Sequence, residues 1–303
     1  MNNTIEYFYN IKPQNINNNG NTYNFTYNNE KYYFKIYDRK EDIKIYVSII
    51  NELKYHNILI SEIIKNKENN YITYLEGTPY YLLKININEN IPLKLKEILY
   101  LSNYKLNIRN ELVRSNWSNL WVAKVDYLEN QIKEMGKKHP ILVESFNYYA
   151  GLTENAISYI NDTISDYQNE AMEEKVISHR KISNNLNIID VYDPINIIID
   201  HKTRDISEYI KKSFFNKSND IYNELKLYFK TITLSEYDAR LLFGRLLYPS
   251  YYYEVFDNII QDIEDENAML LIIDKIKKYE EFLKDILTYL KKTHNIKDIE
   301  WLK

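Results

Sequence analysis

Cysteine is missing from all 303 residues. Disulfides, thiolate metal sites and a cysteine nucleophile are thereby excluded together. Glycine and proline are scarce, at five and six residues, beside 31 tyrosines and 10 phenylalanines. Codon bias in an AT-rich genome accounts for most of that skew. A tyrosine excess also suits cross-linking or wet contact surfaces, because the ring is apolar and its tip hydrogen-bonds.

No stretch approaches the roughly 18 uncharged apolar residues of a membrane span. The N-terminus, MNNTIEYFYNIKPQNINNNG, lacks the basic and apolar regions of a signal peptide, so the expectation is synthesis in the cytoplasm without membrane insertion. A net charge of -4 and a pI of about 5.9 provide no basic field to attract nucleic acid. The five histidines, His56, His139, His179, His201 and His294, show no His-Glu-x-x-His spacing, and the Gly-x-Ser-x-Gly and P-loop patterns are absent. Zinc, α/β-hydrolase and P-loop chemistry therefore find no support.

With 45% hydrophobic and 27% charged residues, the chain has the composition of a folded protein with a sizeable core. TYNFTY (22 to 27) and KYYFKIY (31 to 37) alternate apolar and polar residues around Asn28, Asn29 and Glu30, which predicts a β-hairpin. Ile45, Ile49, Ile50 and Leu53 recur at helical spacing within 41 to 56. NNYITYLEG (69 to 77) and TPYYLLKIN (78 to 86) predict a second hairpin turning at Glu76 and Gly77. Helices are expected at 91 to 104, 116 to 135, and 142 to 165 with a break near Gly151. LNIIDVY and INIIID, parted by Asp193 and Pro194, read as a lone hairpin. Helices at 203 to 213, 219 to 230, 235 to 247 and 252 to 292 follow, the last divided near Asp265. Its apolar positions, Ile276 to Leu290, do not keep a heptad long enough to require a partner helix.

A small sheet with one long helix, then helices carrying an inserted hairpin, resembles the protein-kinase-like fold shared with aminoglycoside and choline phosphotransferases. The resemblance implies an α+β, two-lobe fold: a small β-rich N-lobe at 1–86, and a larger, mainly helical C-lobe at 87–303 with a β-hairpin around 186–200. It assigns Lys35 the place of the phosphate-orienting lysine, with Glu41 or Glu52 as its ion-pair partner. His179 and Arg180 match the catalytic loop, but the position of the base is Lys181, a cation with no free lone pair at neutral pH. Leu186 stands where the second metal-binding asparagine is expected, while Asn184 and Asn185 are out of register. Asp200 takes the place of the magnesium-binding aspartate, and Asp205 that of the aspartate bracing the loop. No glycine-rich loop covers the phosphates, since IKPQNINNNGN offers Gly20 alone.

Each site has a plainer reading. Lys35 can simply face outward on a half-exposed strand, and Asp205 can be an acidic residue in a first helical turn. The stretches ESFNYYAGLTENAISYI (144 to 160), ISHRKI (177 to 182), IDHKTRDISEYI (199 to 210) and ARLLFGRLLYPSYYYEVF (239 to 256) look like the YutH branch of the CotS-type spore-coat proteins. By themselves, TENAISYI and ARLLFGRLL also read as a capped helix start and a buried stripe.

The resemblance implies a spore-coat structural or assembly protein of pseudokinase type, docked on the spore through other coat proteins. No cofactor is expected, with residual ATP and magnesium binding at Lys35 and Asp200 as the weaker reading. Loss of the base, the second metal ligand and the phosphate loop removes roughly 2–4 kcal/mol or more of transition-state stabilisation each. The alternative is a small-molecule phosphotransferase whose base is displaced to Asp190, Asp193 or Asp205.

Overall fold

The computed structural model describes the chain apart from residues 21, 108, 115, 136–137, 169–174, 217–220 and 303, and the side chains of 19 and 135. The chain divides into two compact units. One comprises Met1–Val113, His179–Lys181 and Asn187–Ile199; the other comprises Arg114–Ser178, Ile182–Leu186 and Asp200–Lys303. The expected division at residue 86 thus moves to 113, and two later pieces of chain join the first unit.

The first unit is built on an antiparallel sheet ordered β1-β2-β3-β6-β4, with β5 also on β6. Its strands are β1 (Gln14–Asn19), β2 (Thr22–Tyr27), β3 (Glu30–Ile36), β4 (Glu62–Ile64), β5 (Thr73–Leu75) and β6 (Thr78–Ile85). Both expected hairpins form. Asn28 and Asn29 have φ of 50° and 61°, and Glu76 and Gly77 have 49° and 81°, the double left-handed geometry that two-residue hairpin turns require. Asn tolerates that region; for Glu76 it is an unusual conformation.

Two elements escaped the sequence. Gln14–Asn19, read as a loop, pairs with β2 with a register shift between Gln14 and Asn17. Met1 precedes a helix, α1 (Asn2–Tyr9), whose Ile5 and Tyr9 pack with Ile11, Phe25, Tyr32, Phe34 and Leu82. Alternation along β3 sends Tyr32 and Phe34 to that face and Tyr33 and Lys35 to the other. The helix α2 (Ile43–Tyr55) starts where the Asp42 carboxylate accepts the amide of Lys44 and buries Ile43, Tyr46, Ile49, Ile50 and Leu53. A short helix α3 (Leu95–Ser102) follows.

The segment expected to hairpin at 186–200 is different. Ile189–Tyr192 forms a helical turn, α6, and Pro194–Asn196 a 3₁₀ turn. Instead β7 (Lys175–His179) and β8 (Ile197–His201) make a two-stranded sheet. The Asp193 side chain accepts the amide of Ile195, a cap that turns the chain into the 3₁₀ conformation and ends the possibility of strand there.

The second unit is helical. Its long helices are α4 (Trp117–Met135), α5 (Pro140–Asp166), α7 (Thr203–Phe215) and α9 (Glu236–Leu247). They are joined by α8 (Ile221–Thr231), α10 (Ser250–Ile260), α11 (Ala268–Ile273) and α12 (Ile276–Lys291). No break occurs at Gly151: the buried stripe Leu142, Phe146, Tyr149, Leu152, Ala156, Tyr159 and Ile160 keeps its helical period through the glycine, so packing offsets its roughly 1 kcal/mol propensity cost. The stretch 252–292, expected as two helices divided near Asp265, is three: the division near Asp265 falls between α10 and α11, and a second parts α11 from α12. The start expected at residue 219 lies outside the described residues. At Gly244 a Cβ would stand 2.7 Å from Ile160 Cδ1, so the close approach of α5 and α9 needs glycine there.

Candidate functional site

In the first unit the β3–β6 register places Lys35 opposite Tyr81, on the sheet face away from α1. The Lys35 Nζ donates to Asp193 Oδ2 at 2.7 Å, and the Tyr81 hydroxyl approaches the same oxygen at 3.4 Å. Burial alone would lower the lysine's affinity for its proton, but the Asp193 charge overrules it and the Lys35 pKa is raised. The carboxylate beside Lys35 is therefore Asp193, and the expected pairing with Glu41 or Glu52 is not what forms. Glu52 binds Arg109 at 2.7 Å and accepts the amide of Asn107. Glu41 binds Arg180 at 2.7 Å, and the same guanidinium nitrogen donates to the Tyr46 hydroxyl at 3.0 Å.

His179 donates from Nε2 to the carbonyl of Val191 at 2.9 Å and is buried. Asn196, which the sequence reading passed over, holds the following residues. Its Oδ1 accepts the Lys181 amide, and its Nδ2 donates to the carbonyls of Lys181 and Asp190. The Lys181 side chain, at the base position, is exposed. Of the displaced-base candidates, Asp193 is committed to Lys35 and to its cap, and Asp190 is half-buried.

In the second unit Asp200 is 2% exposed. Its Oδ1 accepts its neighbour His201's amide at 2.7 Å and the Trp117 indole N–H at 3.1 Å, with Arg245 Nη2 at 3.4 Å. Arg204 Nε lies 3.7 Å from Oδ2. Both guanidinium carbons lie over the Trp117 ring, at 4.1 and 5.0 Å from its centroid. Asp205 is buried in the first turn of α7, 3.8 Å from Arg204. Leu186, in the register of the expected asparagine, has φ 50°, while Asn184 accepts a hydrogen bond from Lys212 at 2.6 Å. Lys212 also pairs with Glu254. Among the described residues no group of three His, Asp or Glu side chains is placed to hold a metal ion.

Trp117 and Arg204 went unread, and Arg245, expected outside the buried stripe of its helix, is 5% exposed because it turns in toward Asp200. Asp193 was read as a turn residue, which it is; its second role depends on a strand 158 residues away.

The profile of the family described as "Spore coat putative kinase YutH" matches residues 2–286. The chain belongs to that family. The YutH family likeness extends to a curated protein, the "Endospore coat-associated protein YutH" of Bacillus subtilis (strain 168), 31% identical over 186 residues, 55% of this chain and 54% of that one. The chain thus matches about half the length of this curated relative. Among solved structures, an aminoglycoside phosphotransferase from Alicyclobacillus acidocaldarius has a TM-score of 0.64 at 12% identity, covering 93% of this chain and 94% of the other. A spectinomycin phosphotransferase, determined with ADP and spectinomycin, has a TM-score of 0.56 at 16% identity, covering 92% of each chain. At such identities the likeness is one of fold, and the fold of this YutH-family chain is the kinase-like fold of the aminoglycoside phosphotransferases.

Proposed function

We propose that the chain is a spore-coat protein that keeps the kinase-like fold without phosphoryl transfer and works through contacts with other coat proteins. The observation that carries this reading is Lys181. A cation occupies the catalytic-loop position after His179 and Arg180, and Asn196 fixes its backbone from both sides. An ammonium cannot accept the proton of a substrate hydroxyl.

Other candidate residues, each within its own unit, support the same reading. Lys35 pairs with Asp193 and not with Glu41 or Glu52, the partners that the kinase arrangement calls for. A magnesium ion at Asp200 would stand between two guanidinium groups, a like-charge arrangement that costs several kcal/mol in a buried setting. The residues present do not fit an ATP–magnesium complex. Association with the coat rests on the family and on the printed name of the Bacillus subtilis relative. No described helix is long and apolar enough to cross a membrane, in keeping with cytoplasmic synthesis followed by docking through protein contacts.

The deciding experiment is thermal unfolding with and without ATP and magnesium, alongside an assay for ATP loss. A ligand at a hundredfold excess over its Kd stabilises by about 2.7 kcal/mol; we expect no rise in midpoint. A rise accompanied by slow ATP loss that Asp200→Ala abolishes would establish the small-molecule phosphotransferase reading instead.

A further inference from the structure

Beside Asp200, wholly within the second unit, lies a cavity of about 60 Å³ whose lining includes Trp117, Ile160, Ile164, Lys175, Asp200 and Arg245. Its walls are mainly apolar, with Trp121 and Leu241 completing them, and Arg114 adds a further cation. Two buried polar atoms of the lining residues have no hydrogen-bond partner: Asp200 Oδ2 and Arg245 Nε. Leaving a buried charged group without a hydrogen bond is costly. The two side chains are neighbours, with Arg245 Nη2 3.4 Å from Asp200 Oδ1.

Beyond the ion pair that Arg204 makes with it at 3.7 Å, the Asp200 oxygen lacks a hydrogen-bond donor, as the neighbouring Arg245 Nε lacks an acceptor, and the two suit a molecule carrying both complements on adjacent atoms. A carboxylate meets the guanidinium; an amino or hydroxyl group on the next carbon donates to the Asp200 oxygen. The lining has three cations, Arg114, Lys175 and Arg245, against the one acid Asp200, because the lining His201 is engaged by Asp238 at 3.1 Å. That excess favours a ligand with a full negative charge at one end. Trp117, Ile160, Ile164 and Leu241 then offer contact to a short aliphatic side chain. Water needs roughly 10–15 Å³ of such volume per molecule, so the cavity admits more than a single bridging water and limits a ligand to about the size of alanine or lactate.

We infer that this cavity binds a small α-amino or α-hydroxy acid with an aliphatic side chain, anchored by Asp200 and Arg245. Asp200 is then a ligand anchor in its own right, whether or not nucleotide binds elsewhere in the chain.

The test is thermal unfolding of the full chain without nucleotide, using L-alanine and L-lactate at about 10 mM, a concentration that shifts the midpoint for any Kd well below it. Both acids raise the midpoint, or one does, and the larger shift identifies the donor that Asp200 prefers. Acetate and ethylamine, each carrying half of the recognition pattern, give at most a tenth of the affinity. Asp200→Asn weakens binding at least tenfold. Ile164→Phe, at a rim position that is 36% exposed, narrows the cavity with the polar pair intact and also weakens binding. Lys277→Met, at an exposed position off the cavity, leaves it unchanged. The inference is overturned if neither acid shifts the midpoint, if both cavity variants respond as the parent does, or if magnesium alone gives an Asp200-dependent rise. Because ATP is omitted, a nucleotide response in the earlier experiment would remove the non-catalytic reading and leave this one standing.

Discussion

The tyrosines show at the level of single residues what the composition meant. Tyr251 is 1% exposed, its hydroxyl has no partner, and burial raises its pKa well above the ordinary value. Tyr279 is equally buried, but its hydroxyl donates to the carbonyl of Leu246 at 2.8 Å. Tyr251→Phe should therefore stabilise the protein by about 1 kcal/mol, while Tyr279→Phe should destabilise it by about 0.5–1.5 kcal/mol, read from urea midpoints. That contrast suits a codon-biased sequence that fills core positions with tyrosine whether or not the hydroxyl is needed. Glu208 gives a second residue-level outcome. Burial alone would raise its carboxyl, but Lys211 and Lys212 overrule it and hold the pKa near 2, below 4.5. Lys211 is fully buried and donates to Glu208 at 2.6 Å. As the pH falls from about 4.5 toward 2, the unfolded chain takes up a proton that the folded one refuses, so stability present above pH 4.5 is lost. Glu208→Gln should flatten that acid limb and cost about 3–5 kcal/mol at neutral pH by leaving Lys211 buried without its counter-charge.

At the scale of elements, local rules were readable wherever local chemistry decides. The Asn28-Asn29 turn was legible because φ > 0 at two successive positions selects for Asn and Gly. Asn29→Gly should change stability by less than about 1 kcal/mol, because relief of the left-handed conformation is opposed by glycine's greater freedom in the unfolded chain, and Asn29→Val should lower it by about 1–2 kcal/mol, measured on the same denaturation curve. Elements held by tertiary contacts were not legible. Nothing in QNINNN marks a strand, and β1 exists because β2 offers it an edge. Gly151 and Gly244 look alike in sequence, yet a Cβ at Gly151 meets open space. Gly244→Val should cost about 1–3 kcal/mol through overpacking, and Ile160→Ala should recover part of that loss if the clash with Ile160 is the cause.

At the scale of the molecule, the fold was legible from the order of hairpins and helices, and candidate residues such as His179 in the first unit and Asp200 in the second could be named from their motifs. The rewired partners were not. Whether Lys35 meets Glu41, Glu52 or Asp193 depends on the β3–β6 register and on the 3₁₀ turn after Asp193, and neither is encoded near the lysine. Arg180 shows the same limit: its match to a motif says nothing of the Glu41 carboxylate that it binds 139 residues away. The first unit depends on Asn187–Ile199 as much as on its own sheet, because Ile188, Ile189, Val191, Ile195, Ile197, Ile198 and Ile199 are all buried. A fragment ending at Val113 should therefore show no cooperative unfolding by circular dichroism.

The same division of the chain governs how the protein emerges from the ribosome. A sheet translated within the first 85 residues stays without its last partners until Ile199 has left the exit tunnel. At about 5–20 residues per second, that is on the order of 4–17 s after Val113. For most of that interval Lys35 has no Asp193 and Glu41 has no Arg180. The nascent sheet is then a client for any chaperone that recognises exposed strands, and the protein's yield depends on translation speed between those two points.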